Sequence, residues 1–379
     1  MKKTLIITME YPPYVGGIAV YVHNLASALE KDSVVLLAPV QKDSEEWDAQ
    51  AGYKVIRKKM LFPKLIWPRW IRLYFQVRKI VKQEEIELIM IHHVLPVGYI
   101  GILIQKLRKI PFLLFSHGTD LAVGTKNGWK KKMVTWISKN SEQIIFNSHS
   151  LQDRYLKVLP QFENKSFVLY PCPEPDLLVS PPKEEIDILR AKYALEGKQV
   201  ILSVSRLTDG KGFPHLVRIM PEILKQAPHL VWMIIGDGPK KEKLVSEIQA
   251  NNLQNVTRFL GEIPHAELKK YYYLADLFVL LTHPDEGREE GLGLVFLEAA
   301  ATGLPSVAGK SGGVEEAVLN GETGMVLNVH TETSLIVDAI VKLVVDKEYA
   351  NKLGSQAQAR IKADFNWEGQ VRLLDKWIR

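Results

Sequence analysis

The sequence predicts an α/β protein built from two doubly wound, Rossmann-like domains. Short apolar runs alternate with amphipathic helical patterns along almost the whole chain, and a proline-rich stretch interrupts this alternation once. The length of 379 residues also favours two domains, because it is too long for one ordinary hydrophobic core and suits two domains of roughly 150–200 residues each. We therefore expect two parallel sheets, one on each side of the proline-rich stretch.

The first domain is expected to span residues 1–170. Its strands are predicted at continuous apolar runs, because a parallel strand buried on both faces carries few polar residues. Helical patterns such as IAVYVHNLASALEK and GYIGILIQKLRK lie between these runs. The predicted strands are TLIIT, SVVLLA, IELIMI, PFLLFSH and EQIIFN.

A linker is expected at residues 171–185, where the sequence is rich in proline. Proline removes backbone donors and favours extended neighbours, so it seldom lies inside a helix or a central strand. The second domain is then predicted at 186–360, with strands in QVILSVS, LVWMIIGDG, VTRFLG, DLFVLLTH and PSVAG. The segment 361–379 is predicted to form an amphipathic helix that packs back on the first domain, with Trp367, Leu374 and Trp377 on its apolar face.

The composition limits the classes of partner and compartment. Cys172 is the single cysteine, so an intrachain disulfide and thiolate metal clusters are excluded and a reducing compartment is expected. No apolar run approaches the roughly 20 residues that a membrane span needs, and the first run stops at Glu10. We expect a cytoplasmic protein. The net charge of +6 suggests an anionic partner, which this charge leaves open as nucleic acid, a phosphorylated small molecule or anionic lipid.

Ligands of open α/β sheets bind beyond the carboxyl ends of the strands, so the loops that follow strands are the candidates for a site in the cleft between the domains. Gly16 and Gly17 follow the first strand and open a helix, where a ligand can approach the backbone and an anion is favoured. The alternative is a tight turn that needs glycine for itself. The loop does not match GxGxxG, which disfavours a dinucleotide site.

Three further loops carry polar or glycine residues at strand ends. His117 follows PFLLF and is a candidate to orient a hydroxyl or exchange a proton with it, although a structural histidine fits the same position. Arg206 and Lys211 lie on either side of a strand-to-helix turn, and their charges suit a diphosphate better than the alternative of a solvated pair. Gly236 shapes a similar turn, which by itself is a weak signal.

The stretch EEGLGLVFLEAAATG carries two glutamates eight positions apart, Glu290 and Glu298. Eight residues of helix span roughly 12 Å, about the distance from the outer hydroxyls of a sugar to a ribose across a diphosphate. Carboxylates bind pairs of hydroxyls well, so Glu290 is predicted to hold a sugar and Glu298 a ribose. Gly291 and Gly293 let backbone amides face the phosphates. The alternative is a surface helix with ordinary glutamates.

Taken together, these residues resemble the retaining family-4 glycosyltransferases of the GT-B fold. The family's E-x7-E motif is matched by EGLGLVFLE, and it lies in its usual order with GG after the first strand, SRL…KG, GDGP and SGGVEEAV. The resemblance covers essentially the whole chain. The wording EGLGLVFLEA is similar to bacterial mannosyltransferases that use GDP-mannose, including those acting on phosphatidylinositol, and many enzymes that use UDP-sugars share it.

The resemblance implies a role for each matched residue. Arg206 and Lys211 contact the donor diphosphate, Glu290 the donor sugar and Glu298 the ribose, while His117 lies near the C6 hydroxyl of the transferred sugar. The backbone around Gly16, Gly17, Gly236 and Gly291, Leu292, Gly293 and Leu294 lines the donor. Neither a metal nor another cofactor is needed, because arginine, lysine and helix dipoles neutralise the leaving diphosphate.

The acceptor is left open by the sequence, with Tyr14 and Asp120 of the first domain as candidate contacts. A glycan or a lipid-linked acceptor is expected, and nucleic acid is not. Two alternatives to the transferase need different sets of residues. Nucleotide-sugar epimerisation needs acid and base residues placed for proton abstraction, and no convincing set is present. A polyanion- or membrane-binding module would not need the two glutamates together with Arg206 and Lys211.

The segment 54–82 predicts peripheral contact with the anionic inner face of the cytoplasmic membrane. Between Ala49 and Gln83 the chain has ten Lys and Arg residues and no Asp or Glu, interleaved with apolar and aromatic residues. This pattern is typical of an interfacial helix. The alternatives are an ordinary helix, with Trp67 or Phe75 in the core, and a basic groove for a soluble anionic acceptor.

Overall fold

The computed structural model describes residues 1–14, 16–118, 124, 127–285 and 289–379. The chain divides into two compact units. Met1–Cys172 and Trp367–Arg379 form the first unit, and Pro173–Asn366 form the second. The first boundary falls inside the predicted linker, whose remaining residues belong to the second unit. In the described part of the chain, we find no helix both long and apolar enough to cross a membrane.

The first unit is built on a parallel sheet of seven strands in the order β3-β2-β1-β4-β5-β6-β7. Its strands are β1 Thr4–Ile7, β2 Val34–Pro39, β3 Lys54–Lys58, β4 Leu88–Ile91, β5 Phe112–Ser116, β6 Gln143–Phe146 and β7 Ser166–Val168. Its helices are α1 Gly17–Ala28, α2 Glu45–Gln50, α3 Ile71–Gln83, α4 Gly98–Arg108, α5 Gly128–Asn140 and α6 His149–Val158, with α15 Trp367–Arg372 and α16 Asp375–Ile378 at the chain end.

The second unit repeats this plan with a parallel sheet of six strands in the order β10-β9-β8-β11-β12-β13. Its strands are β8 Gln199–Val204, β9 Leu230–Ile235, β10 Thr257–Gly261, β11 Leu277–Leu280, β12 Ser306–Gly309 and β13 Gly324–Leu327. Its helices are α7 Lys183–Lys192, α8 Phe213–Gln226, α9 Lys241–Ala250, α10 His265–Leu274, α11 Leu294–Ala301, α12 Val314–Ala317, α13 Thr333–Val345 and α14 Lys347–Asp364.

The core of each unit is formed by the apolar runs that predict its strands. In the central strands β1, β4 and β9, all residues are buried. Such continuous burial is the physical reason why these segments lack the polar alternation of a sheet with one solvated face. The α/β class predicted from the sequence is confirmed, with two parallel Rossmann-like sheets.

Two predicted elements differ from the structure. The basic segment 54–82 begins with the edge strand β3, and only its second half forms the helix α3. The predicted helix 361–379 is not one element: α14 runs on to Asp364, and the chain end forms the two short helices α15 and α16. Two separate short helices replace the continuous apolar face that Trp367 and Trp377 suggested.

The chain end makes direct contacts within the first unit. The Lys2 amide donates to the carbonyl of Ile378 at 2.6 Å, and the Tyr170 amide donates to the side-chain oxygen of Gln370 at 2.8 Å. The ring of Trp377 stacks on Phe167 with the centroids 5.5 Å apart. These contacts attach the chain end to the first residues of the chain and to the region of β7, all within the first unit.

The strand order reverses direction beside the first strand of each sheet. In the first unit this switch point lies between β1 and β4, and in the second it lies between β8 and β11. A crevice opens at the carboxyl ends of the two strands that flank a switch point, and ligands of such folds bind there. The loops after β8 and β11 therefore define the candidate site of the second unit.

Candidate active site

Lys211 and Glu290 meet at the switch point of the second unit. Lys211 follows β8, Glu290 lies in the segment between β11 and α11, and the Lys211 Nζ lies 2.5 Å from Glu290 Oε2. Both side chains are partly exposed, so each is accessible to a ligand. The structure thus brings together two of the residues that the sequence assigned to donor chemistry.

Two glycines allow the Lys211 loop to run this close to the neighbouring strand. Gly210 and Gly212 have φ values of +79° and +76°, a region that favours glycine. A Cβ on Gly212 would lie 1.8 Å from the carbonyl oxygen of Leu281. The glycines beside Lys211 therefore determine the path of the backbone in the SRL…KG segment, and this path leaves the Lys211 side chain accessible.

Arg206 is exposed at the start of the same loop. The loop after β9 supports it: the Leu207 amide donates to the carbonyl of Asp237 at 2.9 Å. A Cβ on Gly236 would lie 2.0 Å from the carbonyl oxygen of Ser205. Gly236 thus has a structural reason to be glycine, and its contribution to the site is the support of the Arg206 loop.

The backbone of Glu290 is held by the loop after β12. The Glu290 amide donates to Ser311 Oγ at 3.2 Å, and the Gly313 amide donates to the Glu290 carbonyl at 3.1 Å. A Cβ on Gly312 would lie 2.1 Å from that carbonyl oxygen. The SGG segment of the sequence, residues 311–313, therefore holds the backbone of Glu290 in place.

The expectation that helix connects Glu290 to Glu298 is wrong. Helix α11 begins only at Leu294, after Gly293 with a φ of +88°. Gly291, Leu292 and Gly293 form a non-helical entry, in which the Leu292 side chain is buried. Glycine's freedom of φ stops the helix from extending backwards, so the estimate of 12 Å for the distance between the two glutamates does not apply.

Glu298 lies inside the second unit, with a relative exposure of 4%. Its Oε2 accepts a hydrogen bond from the hydroxyl of Tyr272 at 2.6 Å, and its Oε1 lies 3.2 Å from His265 Nε2. A carboxylate oxygen has two acceptor positions, so each oxygen retains one position for a ligand hydroxyl. Burial and fixed partners orient this carboxylate more firmly than that of Glu290.

His265 is held between two carboxylates, because its Nδ1 lies 3.4 Å from Glu174 Oε1 while its Nε2 faces Glu298. Burial lowers the pKa of His265, but the hydrogen bonds and charges of Glu174 and Glu298 outweigh it and raise the pKa to about 10. The imidazolium is therefore present at neutral pH and balances the buried charge of Glu298. Burial, followed by the charge of Glu298, also raises the pKa of Tyr272, which stays a hydrogen-bond donor.

His265 and Tyr272 were missed by the sequence reasoning. Both lie on α10 two turns apart, which places them on one face of that helix. The available signal was PHAELKKYYYL, where a histidine opens a helix and a tyrosine follows at that spacing. Nothing in the sequence connects either residue to Glu298, which comes from a different element.

The glycine pair of the first unit lies at the carboxyl end of β1. Gly16 precedes α1 and Gly17 is its first residue. A Cβ on Gly16 would lie 3.1 Å from the ring of Tyr14, whereas one on Gly17 would meet nothing within 4 Å. Tyr14 is exposed beside this turn, where a ligand can contact it. The other candidate acceptor contact, Asp120, lies outside the described residues.

His117 is buried at the end of β5, and its Nε2 lies 3.2 Å from His92 Nδ1. The ring of Tyr21 packs edge-on against it at 5.2 Å. Burial and then the charge of His93 lower the pKa of His117 to about 3, so the imidazole is neutral at pH 7. The low pKa of His117 disfavours proton exchange near neutral pH, and the buried, hydrogen-bonded position fits both a role in orienting a hydroxyl and the structural alternative.

Comparisons with known proteins agree with this architecture. Residues 15–176 match the family model "Glycosyltransferase Family 4", and residues 185–360 match "Glycosyl transferases group 1". A GDP-mannose-dependent alpha-(1-6)-phosphatidylinositol monomannoside mannosyltransferase of Mycolicibacterium smegmatis is 27% identical over 97% of this chain and 95% of its own. A glycogen synthase of Mycobacterium tuberculosis is 26% identical over 97% and 92%. Among solved structures, Anabaena HepE in complex with UDP-glucose has a TM-score of 0.82 at 20% identity and covers 99% of both chains.

Proposed function

Because this chain belongs to the family-4 glycosyltransferases of the GT-B fold, we propose that it transfers a hexose from a nucleotide-diphospho-sugar with retention of anomeric configuration and without a metal ion. The acceptor is a hydroxyl of a glycan or of a lipid-linked acceptor. The observation that carries this proposal is the Lys211–Glu290 pair at the switch point, with the carboxylate of Glu298 fixed in the same unit.

Each charged group has a place along such a donor. Arg206 and Lys211 neutralise the diphosphate as its bond to the anomeric carbon breaks, which is the role a bound metal has in other transferases. Glu290 accepts hydroxyls of the donor sugar, and Glu298 accepts hydroxyls of the ribose. Without a donor, Lys211 and Glu290 form an ion pair with each other. Donor binding replaces this pair with a contact from Lys211 to the diphosphate and a contact from Glu290 to the sugar.

The first unit supplies the groups around the transferred sugar. The turn at Gly16 and Gly17 offers backbone to the donor, since a ligand can approach a chain that lacks Cβ atoms. His117, neutral and held by His92, orients the C6 hydroxyl region of the sugar. Tyr14 and Asp120 contact the acceptor.

GDP-mannose is the donor that we favour. The support is the name of the mycobacterial relatives, which are described as GDP-mannose-dependent, together with the EGLGLVFLEA wording of the motif. UDP-glucose is the second candidate, since Anabaena HepE of the same fold was solved with it.

The donor assignment is tested by incubating the enzyme with a panel of GDP- and UDP-sugars in EDTA, without acceptor, and measuring the nucleoside diphosphate released. We expect slow hydrolysis of one donor, GDP-mannose before the others, and its loss in the Lys211→Ala variant. Absence of hydrolysis or binding for every nucleotide sugar would contradict the proposal.

We further propose that the first unit docks on an anionic membrane through the segment 54–82. Leu65 and Trp67 have relative exposures of 97% and 83%, and Phe75 on α3 is also exposed. These side chains are therefore not the core residues that one alternative required. Helix α3 packs on α4 and α4 packs on α5, and these two neighbouring helices also carry exposed apolar side chains, Leu107, Trp129 and Trp136.

The basic side chains of this surface differ in availability. Lys54 pairs with Glu84 and Arg57 with Asp48, so these two are already neutralised within the first unit. Each basic group near an anionic bilayer contributes about 1 kcal/mol within a Debye length. The remaining members of the surface are Lys58, Lys59, Lys64, Arg69, Arg72, Arg78, Lys79 and Lys82.

Vesicle co-sedimentation measures this docking. We expect the bound fraction to rise with the content of anionic lipid, to fall at high salt, and to drop when Leu65 and Trp67 are both changed to alanine. Ile188→Ala, an exposed apolar residue of the second unit, serves as the matched control. Equal recovery of the protein in the supernatant with neutral and anionic vesicles at low salt would contradict the docking proposal.

A further inference from the structure

Three histidines from three separate elements of the second unit converge. His215 lies on the first turn of α8, His283 follows β11, and His330 follows β13. Their ring centroids lie 5.0–5.2 Å apart, and one nitrogen from each ring lies within 4.8 Å of the other two. None of them was singled out by the sequence analysis, and the donor site proposed above does not use them.

We propose that His215, His283 and His330 bind one divalent transition-metal ion, with zinc as the best match. Imidazole is a preferred ligand of zinc, and three protein nitrogens with one open position are a known zinc ligand set. A tetrahedral ion with Zn–N bonds of about 2.0–2.1 Å needs nitrogens about 3.3 Å apart. The nitrogens therefore need to approach one another by at most about 1.5 Å on binding, which side-chain rotation can supply because two rings are half-buried and one is exposed.

The hydrogen bond of His283 prepares it as a ligand. Its Nδ1 lies 3.0 Å from the carbonyl oxygen of Pro284, which can only accept, so the proton is on Nδ1. The lone pair of Nε2 is then available. An imidazole that donates its other N–H to a backbone carbonyl is the usual outer-shell arrangement of a metal-bound histidine.

The hydrogen bond of His215 works against the metal. Arg218 Nη2 lies 3.1 Å from His215 Nδ1 and can only donate, so Nδ1 accepts and the proton is on Nε2. Binding an ion through either nitrogen breaks this contact, and the guanidinium adds repulsion. Arg218 is therefore a competitor of the metal, and its removal should strengthen binding.

The position of the cluster gives binding a structural consequence. His215 lies one turn beyond Lys211, and the His283 amide donates to the carbonyl of Gly210 at 2.9 Å in the same loop. A bound ion would link the Lys211 loop, the segment after β11 and the turn after β13. The ion would stabilise the folded second unit. It would not take part in transfer.

The test is titration of metal-stripped full-length protein with ZnCl2 in a calorimeter, alongside the visible spectrum of the Co²⁺-loaded protein. We expect one ion per chain, a cobalt spectrum of tetrahedral type, and a rise in Tm with zinc. Each of His215→Ala, His283→Ala and His330→Ala should weaken zinc binding at least about tenfold, the lower end of what losing an outer-shell partner costs. Arg218→Ala should bind zinc more tightly than the unchanged protein.

His229→Ala, an exposed histidine of the same unit, is the matched control and should leave the affinity unchanged. The wild-type cobalt spectrum does not depend on any variant folding. No saturable binding, an octahedral cobalt spectrum, or a zinc affinity unchanged from that of the wild type in all three alanine variants would show that the rings form only a packing cluster. None of these readouts uses transferase activity, so failure here leaves the proposed function standing, and the reverse also holds.

Discussion

Replacing Lys211 with alanine is expected to lower kcat/KM for transfer by about 10²–10³-fold. The ammonium group lies at the switch point of the second unit, 2.5 Å from Glu290, where we propose that the leaving diphosphate binds. A preorganised group of this kind contributes roughly 3–4 kcal/mol to the transition state, which is the stated change in rate. Arg206→Ala is expected to fall in the same range. Steady-state kinetics with the preferred donor measure both.

Lys225→Ala is the matched control, since Lys225 lies in the last turn of α8, the helix that follows the Lys211 loop, and pairs with exposed Glu222. It should retain the activity of the unchanged enzyme. Unchanged kcat/KM in both the Lys211 and Arg206 variants would remove these residues from the donor site. The Tm of each variant should stay near that of the wild type, because Lys211 is partly exposed and Arg206 is exposed.

Exchanging the two glutamates of the motif for glutamine is expected to have different effects at the two positions. Glu290→Gln should lower transfer by about 10²–10³-fold while GDP or UDP binds with nearly unchanged affinity, since the role proposed for this carboxylate is contact with the sugar and not with the nucleotide. The exchange also leaves Lys211 without its anionic partner. Kinetics combined with calorimetry of the free nucleotide separate the two quantities.

Glu298→Gln should weaken binding of the nucleotide itself by about 10–100-fold, the value of one hydrogen bond to a charged acceptor. The same change leaves the His265 imidazolium with Glu174 alone, so a fall in Tm is also expected. Tyr272→Phe keeps the charge of Glu298 but removes its hydroxyl partner. It should affect nucleotide binding less than Glu298→Gln.

Glu315→Gln provides the control for both positions, because Glu315 is a half-exposed glutamate of the same unit paired with Lys310. It should change neither transfer nor nucleotide affinity. If Glu290→Gln weakened nucleotide binding while Glu298→Gln affected transfer alone, the two ends of the donor would have been assigned in reverse.

The fold could be predicted from the sequence because buried parallel strands have a recognisable pattern, a continuous run of apolar residues. A run such as LVWMII has no polar alternation, and β9 is buried along its whole length. The edge strand β3 lacks a continuous apolar run, since its sequence is KVIRK and its charged ends are exposed. An edge strand has one neighbour and two partly solvated faces, so its pattern resembles that of a basic surface segment.

The site was only partly predictable for a different reason. Lys211 and Glu290 could be proposed because each follows a strand, and parallel strands end at one edge of a sheet. The pairing of Glu298 with His265 and Tyr272 depends on how α10 and α11 pack, which local periodicity does not encode. The break before α11 was misjudged because the helical pattern of the motif continues through Gly291 and Gly293 in the sequence but not in the backbone.

The central claim, that this chain is a metal-independent retaining transferase, is tested most directly by NMR of the sugar first released from the preferred donor in EDTA. Spectra recorded before mutarotation should show the anomer of the donor, with the signal absent from the Lys211→Ala sample. A first-formed sugar of opposite configuration, or turnover that EDTA abolishes and Mg²⁺ restores, would contradict the account.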